Sequence, residues 1–199
     1  MTLPGAILEE KVIPVARGLD AGSAPILAEA LRAGGISTIE ITVEGGGGLE
    51  AIAAVSGGDL VVGAGTITTV DQAESAVAAG ASFLVTPHLD VGLIEWATAH
   101  VVPIIPGAFT PTEVATAWRH RPAAVKLFPA HVGGPGYLKS LRGPFPDVAL
   151  IPTGGVDAGN IAAYLAAGAI VVGVGGWLTA HDDPGVITRR AVELLRQVV

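Results

Sequence analysis

The chain has 199 residues, half of them apolar, enough for a sizeable buried core and too many for a disordered segment. Eighteen acidic against eleven basic side chains leave a formal charge of -7 with no basic run, which argues against nucleic acid and anionic membrane surfaces as partners. Cysteine is absent, so disulfides, thiolate metal sites and cysteine nucleophiles are excluded.

The first residues, MTLPGAILEEKVIPVARG, carry Glu9, Glu10 and Lys11 among apolar residues and lack the basic start and long apolar core of a signal peptide, so a cytoplasmic protein is expected. A short extra helix at Ala6 to Glu10 precedes the first strand, Val12 to Ala16, which is followed by a helix at Ala24 to Ala33. The alternation then repeats. Strands are expected at Thr38 to Val43, Leu60 to Gly63, Phe83 to Thr86 and Pro103 to Ile105, with helices after them at Leu49 to Ser56, Val70 to Ala79, Val91 to Ala99 and Thr112 to Trp118. The last three strands, Ala124 to Phe128, Ala149 to Pro152 and Ile170 to Gly173, precede helices at Pro135 to Leu141, Ala158 to Ala167 and Pro184 to Gln197.

Asp71 lies in a first helical turn, Asp90 and Asp157 are placed to cap helices, and Gly80 and Gly168 stand where a helix-ending glycine belongs. The uncharged stretch Ile161 to Ala180 has the length of a membrane span. Gly168 divides it into an alanine-rich helix and a β-branched strand, and Gly173, Gly175 and Gly176 read as a turn, so it is not a membrane helix.

Eight strands, each followed by a helix, imply parallel strands with helical crossovers: an α/β chain forming one (β/α)₈ TIM-barrel domain over residues 1–199, with a doubly wound open sheet as the competing architecture. In such a barrel the chemistry sits at the C-terminal strand ends. Glycine, threonine and proline gather there: Gly63 to Thr66, Thr86-Pro87-His88, Pro106-Gly107, Phe128-Pro129, Thr153-Gly154-Gly155 and Gly173 to Gly176.

Two charged residues interrupt strands. In Thr38-Ile39-Glu40-Ile41-Thr42 the isoleucines share one apolar face, which turns Glu40 and Thr42 inward. In Ala124-Val125-Lys126-Leu127-Phe128 the same count turns Lys126 inward. Second and sixth strands are opposite in an eight-strand ring and fill the same layers, so the two side chains converge. A buried ion pair that only fills the interior is the alternative. A free amine attacks a ketone, a protonated imine withdraws electrons from its neighbours, and a carboxylate beside it shuttles protons.

Arg17 ends the first strand as a carboxylate or phosphate fork. Thr153-Gly154-Gly155 and Gly175-Gly176 occupy the usual phosphate position after the last two strands. The five histidines show no ligand spacing, which disfavours a metal site and a metal-dependent aldolase. His88 stands at a strand end, while Trp96, Trp118 and Trp177 read as packing residues.

At these residues the sequence resembles the 2-keto-3-deoxy-6-phosphogluconate/2-keto-4-hydroxyglutarate (KDPG/KHG) aldolase family, class I lyases of the Entner–Doudoroff pathway. The likeness runs over nearly the whole chain, through Ile39 to Thr42, Val62 to Thr66, Thr86 to Asp90, Ile105 to Gly107, Val125 to Ala130, Gly143 to Pro146, Pro152 to Val156 and Val172 to Gly175. It implies that Lys126 forms the Schiff base with pyruvate and that Glu40 is the general acid/base. It implies that Arg17 and Thr66 hold the pyruvate carboxylate, with Pro87, Phe128 and the two glycine loops also contacting substrate. It implies a homotrimer without a cofactor, acting on a small keto acid.

Two positions depart from the family pattern. Glu44 stands where many members carry an arginine, and Gly176 where many carry a phosphate-contacting serine. The expected reaction is reversible cleavage to pyruvate and glyceraldehyde 3-phosphate. Its rivals are the same chemistry on 2-keto-4-hydroxyglutarate or the galactonate epimer, an epimerase or isomerase barrel, and an inactive interaction module.

Overall fold

The computed structural model describes residues 1–198 as a parallel α/β fold. A short helix, α1 (Gly5–Glu10), leads into β1 (Val12–Ala16) and α2 (Ala24–Ala33). There follow β2 (Thr38–Thr42), α3 (Gly48–Val55), β3 (Val61–Gly65), α4 (Val70–Ala78), β4 (Phe83–Val85) and α5 (Val91–Ala99). The expected fifth strand is present as the short β5 (Ile104–Ile105), and a further strand that was not expected, β6 (Gly107–Ala108), follows it before α6 (Pro111–Arg119). The rest is β7 (Val125–Leu127), α7 (Ala130–Arg142), β8 (Leu150–Pro152), α8 (Ile161–Ala166), β9 (Val172–Val174), α9 (Gly176–Thr179) and α10 (Pro184–Leu195).

The hydrogen-bonded order is β5-β4-β3-β2-β1-β9 in one curled sheet and β6-β7-β8 in another, every pair parallel. This differs from the eight uninterrupted strands expected. Pro106 separates β5 from β6, and a proline has no N–H to give to a ladder. Its carbonyl still accepts from the Lys126 N–H at 2.9 Å, and the Ile104 carbonyl accepts from the Ala123 N–H at 3.0 Å. The other ends of the two sheets touch through a parallel bridge between Thr153 and Gly173.

Strand alternation sorts the interior into two cores. Val12, Ile39, Ile41, Val62, Ala64, Leu84, Ile104, Val125, Leu127, Leu150 and Val172 pack in the large cluster with the helices. Their neighbours one residue away, Ile13, Phe83, Val85, Ile105, Ala124, Ile151 and Val171, form a second cluster with Leu3 and with Ile7 from α1. Each such aliphatic side chain, once buried, contributes about 1.5–3 kcal/mol. The period of two thus places Glu40 and Lys126 on the side away from the helices.

Most helix boundaries follow their local signals. Thr69 and Asp90 cap α4 and α5, accepting from the Gln72 and Leu93 N–H groups. Thr110 and Glu113 form a capping box on α6, and the Glu113 carboxylate accepts from the Thr110 and Phe109 N–H groups at 2.7 and 2.9 Å. Those bonds, with Thr110 first, hold the Glu113 carboxyl below its ordinary range. Gly80 and Gly168 end their helices with φ of 104° and 105°.

Two expectations fail. Asp157 does not cap an α-helix: its carboxylate accepts from the Gly159 N–H two residues on, closing a tight turn, and α8 begins later at Ile161. Gly176 is the first residue of the short α9 rather than part of a turn, because Thr179 anchors that segment by donating to the Val15 carbonyl at 2.8 Å. The stretch with the length of a membrane span is divided among α8, β9 and α9, and no helix among the described residues is long and apolar enough to cross a membrane.

Candidate active site

Lys126 sits in the middle of β7 and Glu40 in the middle of β2. Their side chains are 5% and 3% exposed, and Lys126 Nζ lies 3.6 Å from Glu40 Oε1. Two strands from different sheets therefore deliver one amine and one carboxylate to the same buried point. Lys126 Nζ also faces the Phe128 ring, 5.3 Å from its centroid. A small cavity of about 10 Å³ touches both groups and is lined by Ile13, Val85, Ile105, Ile151, Thr153 and Gly173 as well. Its walls are apolar apart from Thr153, so the pair has few other polar neighbours.

Glycines make the room. A Cβ on Gly63 would meet the Phe83 ring at 2.2 Å, and one on Gly173 would meet Thr153 Oγ1 at the same distance. A Cβ on Gly107 would strike the Pro87 backbone at 2.5 Å. Thr86 packs at the same junction, donating to the His88 carbonyl and accepting from the Gly107 N–H at 3.1 Å. Pro87 is half-buried, and His88 is exposed.

A larger cavity of about 220 Å³ opens where the chain leaves β1, β8 and β9. Arg17, Thr153, Gly154, Gly155, Gly175 and Gly176 all line it, which unites six residues expected to bind substrate. Thr153 belongs to both cavities and so connects the lysine to the loops. Val15, Asp157 and Trp177 line it too and were not anticipated. Trp177, expected as a packing residue, does pack against the main core, and the Arg190 guanidinium lies over its ring at 4.8 Å.

Thr66 is not among the residues lining either cavity. Its backbone is nonetheless unusual, with φ of 59° immediately after β3. A β-branched residue in the left-handed region costs about 1–3 kcal/mol and persists where the surroundings enforce it, as at ligand clamps. Nothing in residue identity alone signalled this conformation.

Arg17 is not free. Its Nη1 lies 3.3 Å from Glu44 Oε1, with the side chains 54% and 43% exposed. Glu44 is therefore positioned to compete with any anion for the one arginine among the residues lining the cavity. An exposed pair of this kind contributes only about 0.2–1 kcal/mol, so it costs little to break.

Comparison with known proteins decides the family. The family described as KDPG and KHG aldolase matches residues 5–190. The chain belongs to this family. It is 43% identical over 155 residues to 2-dehydro-3-deoxy-phosphogluconate aldolase of Pseudomonas aeruginosa, covering 76% of this chain and 70% of that one. Against the protein of the same name from Treponema pallidum it is 38% identical over 181 residues, covering 89% and 86%. Among solved structures, KDPG aldolase of Legionella pneumophila, with pyruvate captured as a covalent carbinolamine intermediate, superimposes with a TM-score of 0.90 at 32% identity, covering 97% of this chain and 98% of that chain. Among the described residues of this aldolase no group of three or more histidines, aspartates or glutamates is arranged to hold a metal ion.

Proposed function

We propose that the protein is a class I aldolase that reversibly cleaves 2-keto-3-deoxy-6-phosphogluconate to pyruvate and glyceraldehyde 3-phosphate, with Lys126 as the Schiff-base residue. The observation that carries the reading is the buried Lys126–Glu40 pair at 3.6 Å in a chain of the KDPG and KHG aldolase family.

The amine of Lys126 adds to the C2 ketone, and Glu40 supplies the proton with which the carbinolamine hydroxyl leaves as water. Glu40 then takes the C4 hydroxyl proton, directly or through a water. The C3–C4 bond breaks, its electrons pass into the iminium to give an enamine, and the aldehyde departs. Protonation of the enamine at C3 and hydrolysis of the imine release pyruvate and restore the amine. The imine itself is the electron sink, so the proposed route calls for no metal or cofactor.

The cavity of Arg17, Thr153 to Gly155 and Gly175-Gly176 suits the distal phosphate, since backbone N–H groups approach a ligand closely at glycines. Its connection to Lys126 through Thr153 supports a single extended substrate spanning both cavities. Thr66, Pro87 and Phe128 are assigned to the pyruvate end, Thr66 through the carboxylate.

The architecture proposed is a single-domain (β/α)₈ barrel in which the two sheets are arcs of one ring. The single residue between β5 and β6 and the Thr153–Gly173 bridge support it. A cytoplasmic homotrimer is the proposed assembly, on the family resemblance.

Borohydride reduction in the presence of pyruvate tests the central claim. Inactivation with one reduced pyruvate adduct on the peptide containing Lys126 is expected; an adduct on Lys11 or Lys139, or none, overturns it. Lys126→Arg keeps the charge, forms no imine, and loses both turnover and the adduct.

A further inference from the structure

We infer that Thr42 is a further catalytic residue of this site: its hydroxyl binds, together with Glu40, the oxygen that enters and leaves the substrate C2 carbon. The inference rests on the Schiff-base reading above and adds a group that reading does not use.

Thr42 closes β2, two residues beyond Glu40, and so lies on the same strand face toward the C-terminal end. It is 1% exposed. Its Oγ1 is fully buried and has no hydrogen-bond partner, and Glu40 Oε1 is in the same condition. A hydroxyl buried without a partner costs about 1–3 kcal/mol, which a packing role does not require, since valine has nearly the same shape. Thr38, at the other end of the same strand, shows the contrast: its hydroxyl bonds to the Val12 carbonyl at 3.0 Å.

Both atoms, Glu40 Oε1 with only its ion pair to Lys126, belong to one small region. In the β2–β3 ladder Thr42 is the register partner of Gly65. A Cβ on Gly65 would lie 2.1 Å from Glu40 Oε1 and 2.7 Å from Glu40 Cγ. The Glu40 side chain therefore leans up the strand into the space that Gly65 leaves open beside Thr42. Adjacent strands are about 4.8 Å apart, so Glu40 Oε1 and Thr42 flank the same Gly65 position, and on this proposal one oxygen there takes a hydrogen bond from or to each. The reaction supplies such an oxygen next to Glu40. When the carbinolamine dehydrates, its C2–O bond breaks, the hydroxyl takes a proton from Glu40 and leaves as water, and the nitrogen lone pair forms the C=N bond. Hydrolysis returns the same atoms by the reverse path. Thr42 gains and loses no proton; its hydroxyl fixes the oxygen where Glu40 protonates or deprotonates it.

Thr42→Val and Thr42→Ser separate this role from a structural one. In Thr42→Val, kcat for cleavage and the rate of exchange of the pyruvate C2 oxygen with labelled water should both fall about 10- to 100-fold, with the KM changed less than threefold. Its melting temperature should hold or rise, because an unpartnered hydroxyl is removed. Thr42→Ser should retain kcat and oxygen exchange within a few-fold. Wild-type oxygen exchange in Thr42→Val overturns the inference, as does a fall in activity that tracks a fall in melting temperature in both variants. Borohydride trapping on the unaltered protein is the control: if it gives the Lys126 adduct while Thr42→Val exchanges oxygen normally, only the Thr42 assignment fails, whereas an absent adduct removes the Schiff-base reading itself.

Discussion

Gly65 and Glu40 compete for one volume: the carboxylate lies where a side chain on the neighbouring strand would begin, with Cγ and Cδ at 2.7 and 2.8 Å from that point. Gly65 is in a regular strand, so its value here is the missing side chain rather than an unusual backbone. Gly65→Ala should therefore fold, since Glu40 is a flexible side chain that can swing aside. The displaced carboxylate should lower kcat by about 10²- to 10⁴-fold, the range for a lost general acid/base, and Glu40→Gln should fall in the same range. Steady-state cleavage rates check this, with circular dichroism for the fold. A Gly65→Ala enzyme of normal kcat would show that Glu40 works equally well from elsewhere.

The Arg17–Glu44 pair predicts an unusual direction of effect, a gain of apparent affinity on mutation. Glu44→Gln frees the guanidinium and should lower the KM of anionic substrates up to about fivefold, the equivalent of an exposed ion pair. Glu44→Arg should lower it further by adding a second cation at the same place. In an Arg17→Ala background the Glu44→Gln gain should shrink, because the competitor no longer has anything to release. Kinetics across the four-member cycle measure that coupling.

Phosphorylated 2-keto-3-deoxy acids should exceed their unphosphorylated analogues in kcat/KM, given the cavity shared by Arg17 and the two glycine loops. Gly176→Ser should widen the difference by restoring a hydroxyl donor; its own Cβ would have room, the nearest atom being the Ala180 Cβ at 3.6 Å. A coupled pyruvate-release assay on both substrate forms gives the ratio, and equal efficiencies would remove phosphate from the proposal.

Stability should depend on pH through Glu113. Its carboxyl is held below 4.5 in the fold, first by the Thr110 N–H, then by the Phe109 N–H and the Thr110 hydroxyl. A group with a lowered native pKa stabilises the fold fully above its unfolded value and loses that contribution as the pH falls through the native one. Glu113→Gln should thus melt about 2–4 °C lower at pH 7, as for a lost cap of about 1 kcal/mol. The gap should narrow below pH 4.5, where the unfolded chain's carboxyl takes up its proton first, and close as the pH falls through the lower native value. Melting curves from pH 7 to pH 3 give the trend.

Alternation within two five-residue runs was enough to turn Glu40 and Lys126 away from the helices, because isoleucine, valine and leucine on the alternate positions leave little choice of face. Arg17 and the glycine loops were likewise legible, since their position at strand ends follows from the order of elements. What escaped is set by tertiary contact. The Pro106 break was visible in composition, but its effect on pairing depends on which neighbour needs the missing N–H. The short α9 depends on Thr179 reaching a carbonyl 164 residues away, and the Arg17–Glu44 pair joins loops 27 residues apart. The left-handed backbone of Thr66 has no counterpart in residue type. Asp157 misled because an aspartate closes a turn with the same side-chain bond that caps a helix.

The first ten residues bear on the chemistry without carrying any. Leu3 and Ile7 pack with Ala124, one step below Lys126 on the same strand face, and with Ile13, Ile105 and Ile151. In the proposed barrel the N-terminal segment would act as a stopper in the lower end of the interior. Under the Schiff-base route this leaves keto acid, aldehyde and water a shared doorway at the upper end. On that reading the aldehyde, released first, has to clear the doorway before pyruvate can follow it out, so the order of release is imposed by traffic as well as by reactivity.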